Sequence, residues 1–348
     1  MRRQDLIDVL EELQPVLPPK SGRHDERDHF FWFTGERVMV LRTADIRAQT
    51  AMSLPLRTAF KGGIGSVLLD LLKRSASRRV TLAAQPGRIV IKAGRTEMAF
   101  PQITSFIPCE LPSPSGGSRP VSADFFDALE FCMGGIGSDP NISDQLGITV
   151  EGDGNGSAKL YTTNNATIRM ATVKLAMQAG RFLVSGLFCR QLIRVRRPGQ
   201  LELHDDYVLF SDATGLMLWD RLIKPETPLD FGSVMDFHIE GVEDHLVEVP
   251  SELLRVLNHM IPITDNTEHN SMEITVERYG KMRFRAESKY GEVEHELRID
   301  WRHPLVQVRA EPRLIRDGKA YFEKWVVTEK AVILRKGNKT ILIGSTGE

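Results

Sequence analysis

The sequence predicts an α+β protein of three repeated domains, each with two helices packed on antiparallel sheet. The first observation behind this is an internal register. Leu6, Leu10, Asp45 and Ile89 are matched by Phe125, Leu129, Asn164 and Val208, and 125−6, 129−10, 164−45 and 208−89 all equal 119. A third set follows with Leu253, Glu287 and Val332 at offsets of 253−129 = 124, 287−164 = 123 and 332−208 = 124. A period near one third of 348 residues is the size of a small domain and too long for a solenoid unit. The second observation is that every copy reads helix, strands, helix, strands, with more strand than helix and the helices far apart in sequence, so helices should cover one face of a sheet.

In the first copy Leu6, Val9, Leu10 and Leu13 recur at helical spacing, and Pro15, Pro18 and Pro19 end that helix because proline lacks the amide donor. A polar loop over 20–28 leads to apolar runs at 29–33, 38–41 and 46–54, separated by turn residues. A helix is predicted over 67–74, opened by Gly62 to Ser66, then strands at 80–83, 89–92 and 97–100. The second copy gives a helix at 123–132, strands at 147–151, 159–163 and 168–174, a helix at 187–195, and strands at 201–204, 207–211 and 216–222. The third gives a helix at 252–261, strands at 272–278, 282–287 and 293–300, a helix near 313–322, and strands at 325–328, 332–336 and 341–344. Pro112 to Ser118 has the composition of a linker, and Pro225 with Pro228 marks a second junction. The expected domains are 1–115, 119–235 and 236–348.

Lys and Arg total 45 against 46 Asp and Glu, so the net charge of −1 gives no global attraction to nucleic acid or to anionic membranes, and any such affinity requires segregated charge. Cys109, Cys132 and Cys189 are widely spaced, which argues against a disulfide framework or structural zinc and fits buried thiols in a reducing cytoplasm. No apolar stretch reaches the roughly 18 residues that span a bilayer. A soluble, unexported protein is expected.

With Thr43, Ala44 and Asp45 ending a strand, Thr162, Thr163 and Asn164 as their counterpart, and Arg221, Leu222 and Ile223 followed by Pro228, the chain resembles the bacterial DNA polymerase sliding clamps, the beta subunit of the replicative polymerase. The resemblance covers nearly the whole chain through order and register. It implies half of a closed ring, completed head to tail by a second chain as a homodimer around double-stranded DNA, with helices lining the hole. It also implies no catalytic activity, no cofactor, DNA contact without sequence specificity, a replicative DNA polymerase and an ATP-dependent clamp loader as partners, and a cytoplasmic location.

Such a ring needs phosphate contacts without base readout. The second helix of each copy carries the cations: Lys73, Arg74, Arg78 and Arg79; Arg190, Arg194, Arg196 and Arg197; Arg313, Arg316 and Lys319. The spacing of Arg190, Arg194 and Arg197 predicts one helix face. The first helix, with Asp5, Asp8, Glu11 and Glu12, is acidic and makes the expected field patchy. The resemblance further implies an apolar cleft for partner peptides, to which Leu146, Thr163, Ile168, Pro228, Val234, Leu342 and Ile343 correspond. The chain departs from the family pattern at Asn164, at Asn165 to Thr167, and at its ending from Ile343 to Glu348.

Two other readings are open at this stage. His24, Asp25, Asp28 and His29 are metal-ligand types at short spacing, which gives a metal-dependent hydrolase as the alternative, although no second cluster completes a site. The other is a clamp-fold interaction module without ring closure. The glycine runs at 62–66 and 134–138 lack the third glycine of a dinucleotide fingerprint and any following Gly-Lys-Ser/Thr. The second run should end a helix. Edge strands are expected near Ala99 and at 274–276, and pairing them with a partner chain would remove an aggregation hazard.

Overall fold

The computed structural model describes residues 1–17, 29–43, 49–103, 112, 114, 119–266, 270–319 and 321–346. In chain order these form α1 (Arg3–Leu13), β1 (Phe30–Phe33), β2 (Arg37–Thr43), β3 (Gln49–Pro55), β4 (Gly62–Gly65), α2 (Val67–Arg74), β5 (Thr81–Gln85), β6 (Arg88–Ala93) and β7 (Thr96–Pro101). Next come β8 (Arg119–Pro120), α3 (Ala123–Met133), β9 (Gly147–Gly152), β10 (Ser157–Thr163), β11 (Thr167–Lys174), β12 (Gly180–Ser185), α4 (Gly186–Val195), β13 (Gly199–Leu203), β14 (Tyr207–Asp212) and β15 (Met217–Arg221). The chain continues with α5 (Phe231–Ile239), β16 (Val247–Glu248), α6 (Leu253–Thr264), β17 (Met272–Val276), β18 (Lys281–Ser288), β19 (Gly291–Arg298), β20 (Val306–Ala310), α7 (Pro312–Lys319), β21 (Lys324–Val327), β22 (Ala331–Lys336) and β23 (Lys339–Gly344). The order helix, four strands, helix, three strands therefore occurs three times, starting at α1, α3 and α6.

By internal contact the chain divides into two compact units that interleave along the sequence. The first comprises Met1–Phe126, Gly152–Gly156 and Lys174–Lys224; the second comprises Asp127–Glu151, Ser157–Val173 and Pro225–Glu348. In the first unit one sheet runs β4-β1-β2-β3-β15-β14-β13-β8 and another runs β5-β6-β7. The β3 to β15 junction is antiparallel with Met217 opposite Ser53 and Asp220 opposite Thr50. In the second unit the strands run β9-β10-β11-β23-β22-β21-β16 in one sheet and β19-β18-β17-β20 in the other. There the β11 to β23 junction is antiparallel, with Ile168 opposite Leu342 and Thr167 opposite Ile343. Both junctions join the third strand of one copy to the last strand of the next.

The helices bury apolar stripes at helical spacing. Leu6, Leu10 and Leu13 of α1, Leu68 and Leu72 of α2, and Phe188 and Leu192 of α4 are all buried in the first unit. Val256, Leu257 and Met260 of α6 and Ile315 of α7 do the same in the second. A separate apolar cluster of Trp32, Met39, Leu41 and Ala51 in the first unit is flanked by Phe30, Ile103 and Trp219.

Four expectations need correction. Gly62 to Gly65 is strand β4, paired antiparallel with β1, so helix α2 starts only at Val67. Glycine is required there by crowding: a Cβ on Gly63 would lie 2.8 Å from Cζ3 of the buried Trp32. The strand at 274–276 is interior, since β17 lies between β18 and β20, and the terminal strands of that sheet are β19 and β20. Helix α5 follows the Pro225 to Pro228 junction in a segment to which the sequence assigned no element; Asp230 caps it by accepting the Ser233 N–H at 2.9 Å. Finally, each copy has a strand before its second helix, β4, β12 or β20, that the apolar runs did not reveal.

The second glycine run behaves as expected in ending a helix, because α3 stops at Met133. Its composition has a packing cause. A Cβ on Gly134 would lie 2.4 Å from Nη1 of Arg169, and one on Gly135 would lie 2.5 Å from Oγ1 of Thr162. The Arg169 guanidinium lies across this bend and donates from Nη1 to the Phe131 carbonyl at 3.1 Å. Thr162 donates to the Cys132 carbonyl at 2.9 Å.

Candidate nucleic-acid interface and apolar strand turn

The basic residues assigned to DNA in the first unit lie on or just beyond α2 and α4. Lys73 and Arg74 occupy the last turn of α2, and Arg78 and Arg79 follow it in the segment that meets the amino terminus, where the Arg3 N–H donates to the Arg78 carbonyl at 3.0 Å. Arg190 and Arg194 lie on α4. Arg196 caps α4 in the left-handed region at φ 39°, so Arg197 leaves the helical path, and the face predicted for Arg190, Arg194 and Arg197 ends at Arg194. Cations at the ends of α2 and α4 also sit favourably against the helix dipole.

Several of these cations already have anionic neighbours. Lys73 Nζ lies 2.7 Å from Glu11 Oε1, and Arg197 Nη1 lies 2.9 Å from Glu12 Oε1 and 3.6 Å from Asp212 Oδ2. Arg194 donates to the Glu12 backbone carbonyl. Partial burial holds the Arg194 guanidinium below its ordinary value, against the raising influence of Glu12. Acidic α1 thus meets cations from both basic helices, while among the described residues the exposed side chains of Arg74, Arg78, Arg79 and Arg190 have no acidic partner. In the second unit Arg313 pairs with Asp265 through both Nε, at 2.9 Å, and Nη2. Arg316 contacts Asp317 at 3.1 Å, and Lys319 donates to the Pro250 and Ser251 carbonyls at 3.3 Å each.

The residues assigned to a peptide cleft all fall in the second unit. The turn from β10 to β11 is built by side chains: Thr163 donates to the Thr167 carbonyl at 2.9 Å, and Asn164 Oδ1 accepts from the Thr167 N–H at 2.8 Å and its hydroxyl at 2.9 Å. Asn165 sits at φ 70°, which asparagine tolerates better than most residues. Thr163, Ile168, Leu342 and Ile343 are buried in the sheet, Leu146 and Val234 are half-buried, and Pro228 is exposed. Val234 lies on α5, whose Phe231 stacks on Tyr161 at 5.2 Å with an interplanar angle of 7°. Sequence reading missed Phe237 on the same helix. It is 62% exposed, with Lys330 Nζ 3.8 Å from its ring centre, and an amphipathic reading of 231–239 from the Asp230 cap would have found it.

Of the proposed metal loop, His24, Asp25 and Asp28 lie outside the described residues. His29 accepts from the Ser66 N–H at 2.8 Å through its carbonyl. Among the described residues no group of three His, Cys, Asp or Glu side chains is placed to hold a metal ion. Cys132 and Cys189 are buried free thiols, and burial pushes Cys132 up to about 12. No helix among the described residues is long and apolar enough to cross a membrane.

Three successive rounds of helix, four strands, helix and three strands, with sheets shared between successive rounds, define a mixed α+β fold of the sliding-clamp type. Solved structures with this fold include the DNA polymerase III subunit beta of Pseudomonas aeruginosa, with a TM-score of 0.80 at 13% identity over 99% of this chain and 98% of that one. The beta subunit of Thermotoga maritima gives 0.79 at 16% identity over 100% and 98%, and the polymerase III beta of Caulobacter crescentus gives 0.78 at 14% over 100% and 99%. No protein-family model matches the sequence, and no curated protein matches it. The likeness is therefore one of fold, full length and low identity.

Proposed function

We propose that this protein is a DNA sliding clamp: a non-catalytic homodimeric ring of three-domain chains, with domains at 1–115, 119–235 and 236–348, that encircles duplex DNA. The observation that carries this reading is the pattern of sheet edges. The third strands of the first two copies, β3 and β11, are each completed by the last strand of the next copy, β15 and β23. The third strand of the last copy, β19, and the last strand of the first copy, β7, are terminal in their sheets. Joining β19 of one chain to β7 of another repeats the same junction, and doing so twice closes a ring with those edges satisfied.

In this reading the cations of α2 and α4, with Arg313, Arg316 and Lys319 on α7, face the duplex and touch phosphates only. The strand turn at Thr163 to Ile168, with Leu146, Pro228, Val234, Leu342 and Ile343, receives an apolar peptide of the replicative polymerase, and an ATP-dependent loader opens the ring. Pro228, Val234 and Leu146 supply the accessible part, and the buried strand residues hold its floor in place. Fold likeness to polymerase III beta subunits over full length supports the assignment.

The test is topological. Dilute protein is mixed with closed circular duplex, concentrated so that rings form around it, and passed through a sizing column at high salt. The expected result is a free species of twice the 39.2 kDa chain mass, co-elution with circles, and release when the circle is cut. Equal retention on linear and circular duplex, or a monomer at micromolar concentration, overturns the ring.

A further inference from the structure

Helix α1 has an unusual place among the basic helices of the first unit. Glu11 engages Lys73 from α2, while Glu12 engages Arg197 beyond the end of α4 through its carboxylate and Arg194 through its backbone carbonyl. Two consecutive acids on one helix thus occupy cations contributed by two other helices. The Lys73–Glu11 pair is half exposed, its side chains retaining 43% and 45% of their accessible surface, while Arg197 retains 41% against 24% for Glu12 and has Asp212 Oδ2 as a second acidic neighbour at 3.6 Å. Exposed pairs of this kind are weak and exchange readily with a competing anion.

We propose that α1 is a built-in competitor for the duplex, with Glu11 and Glu12 standing where phosphates would otherwise bind and setting how tightly the clamp holds DNA. This rests on the reading above that α2 and α4 face the duplex. A phosphate approaching Lys73 or Arg197 must displace a carboxylate already at 2.7 or 2.9 Å, so these cations release fewer counterions on binding than free ones do. Arg74, Arg78, Arg79 and Arg190 then provide the standing attraction, and the α1 pairs limit it. A ring that must travel along DNA gains from that limit, because each additional fixed phosphate contact slows every step. Glu11 and Glu12 act through the cations and are positioning residues for the interface.

The experiment measures binding of the full chain to a short linear duplex across 50 to 200 mM salt, for wild type, E11Q, E12Q, the double variant and D8N. Asp8 is the charge-matched control, because it lies on the same helix and accepts from Gln4 at 2.7 Å instead of holding a cation. Freeing Lys73 outright and loosening Arg197, which Asp212 Oδ2 still approaches at 3.6 Å, should steepen the log–log salt dependence of the double variant by about 0.9 to 1.8, so that its loss of affinity across this range exceeds the wild-type loss by about three- to tenfold. E11Q should show a slope change of about 0.9, E12Q a smaller one because Asp212 stays beside Arg197, D8N close to none, and adding K73Q and R197Q to the double variant should restore the wild-type slope. A double variant with the wild-type slope, or a D8N slope equal to that of E11Q, overturns the proposal, the second because net charge alone would then explain the effect. Retention of wild type and of the double variant on closed circles is measured in parallel. Circle-specific retention with an unchanged slope removes the α1 proposal and leaves the clamp; loss of circle-specific retention removes the clamp reading itself.

Discussion

Asp220 gives the sharpest test of how the first unit is held together. It is fully buried on β15 opposite Thr50 of β3, where its carboxylate accepts from the Thr50 hydroxyl at 2.7 Å and from the Ser185 N–H at 3.2 Å. Burial pushes its carboxyl up to about 7 from an ordinary 3.8, with the hydrogen bonds from Thr50 and Ser185 opposing that rise. A folded-state value above the unfolded one means that the folded chain holds this proton more tightly. The contribution is complete below about pH 3.8 and is lost as pH rises through 7. A tenfold difference in proton affinity is worth about 1.4 kcal/mol, so the whole effect is on the order of 4 kcal/mol, of which about 2–3 falls between pH 5 and 8. Asp220→Asn keeps the volume, accepts from Ser185 through Oδ1 and donates to the Thr50 oxygen, and does not titrate. Urea unfolding of wild type and variant, followed by tryptophan fluorescence at half-unit steps from pH 5 to 8.5, isolates this contribution as a difference, since all other titrating groups are shared. The variant should gain about 2–3 kcal/mol on wild type across that range. A difference that stays flat with pH, whatever its absolute value, refutes the idea that this carboxyl carries the linkage.

Gly63→Ala should destabilise the first unit by about 1–3 kcal/mol, read by the same urea titration, because its Cβ would lie 2.8 Å from the Trp32 ring. Ser185→Ala removes the cap that accepts from the Phe188 N–H at 3.2 Å and should cost about 1 kcal/mol, whereas the matched change at the exposed Ser233 should cost less than about 0.5 kcal/mol. Cys132, buried and pushed up to about 12, should resist a thiol reagent at pH 8 in folded protein and react on unfolding in urea, as mapped by peptide mass spectrometry.

The legible parts of the fold were those written in side-chain periodicity. Leu6, Leu10 and Leu13 mark α1 and Leu68 and Leu72 mark α2 because one stripe of each helix meets the sheet. What failed to read was written in shape or in distant partners. Strand β4 is Gly-Gly-Ile-Gly, whose lack of side chains reflects Trp32 and carries no local strand signal. Helix α5 announces itself through Asp230 and not through a long apolar stripe, since its buried residues are only Phe231 and Met235. The cations were visible by type and rough position, but their partners were not. Glu11 and Lys73 are 62 positions apart, and the pairing follows from helix packing that no local pattern encodes. The break at Arg196 is likewise a backbone event, a left-handed cap, that spacing alone reads as one more helical turn.

The way β3 is completed by β15 has a consequence for dissecting the molecule. The repeat visible in the sequence and the compact body are out of phase, because β15, which completes the edge of β3, is synthesised about 170 positions after it. A fragment cut at the linker near 118 would end with the β3 edge bare and Thr50 facing water in place of Asp220. Such a fragment is expected to stick to itself, whereas a cut after 224 would spare that sheet.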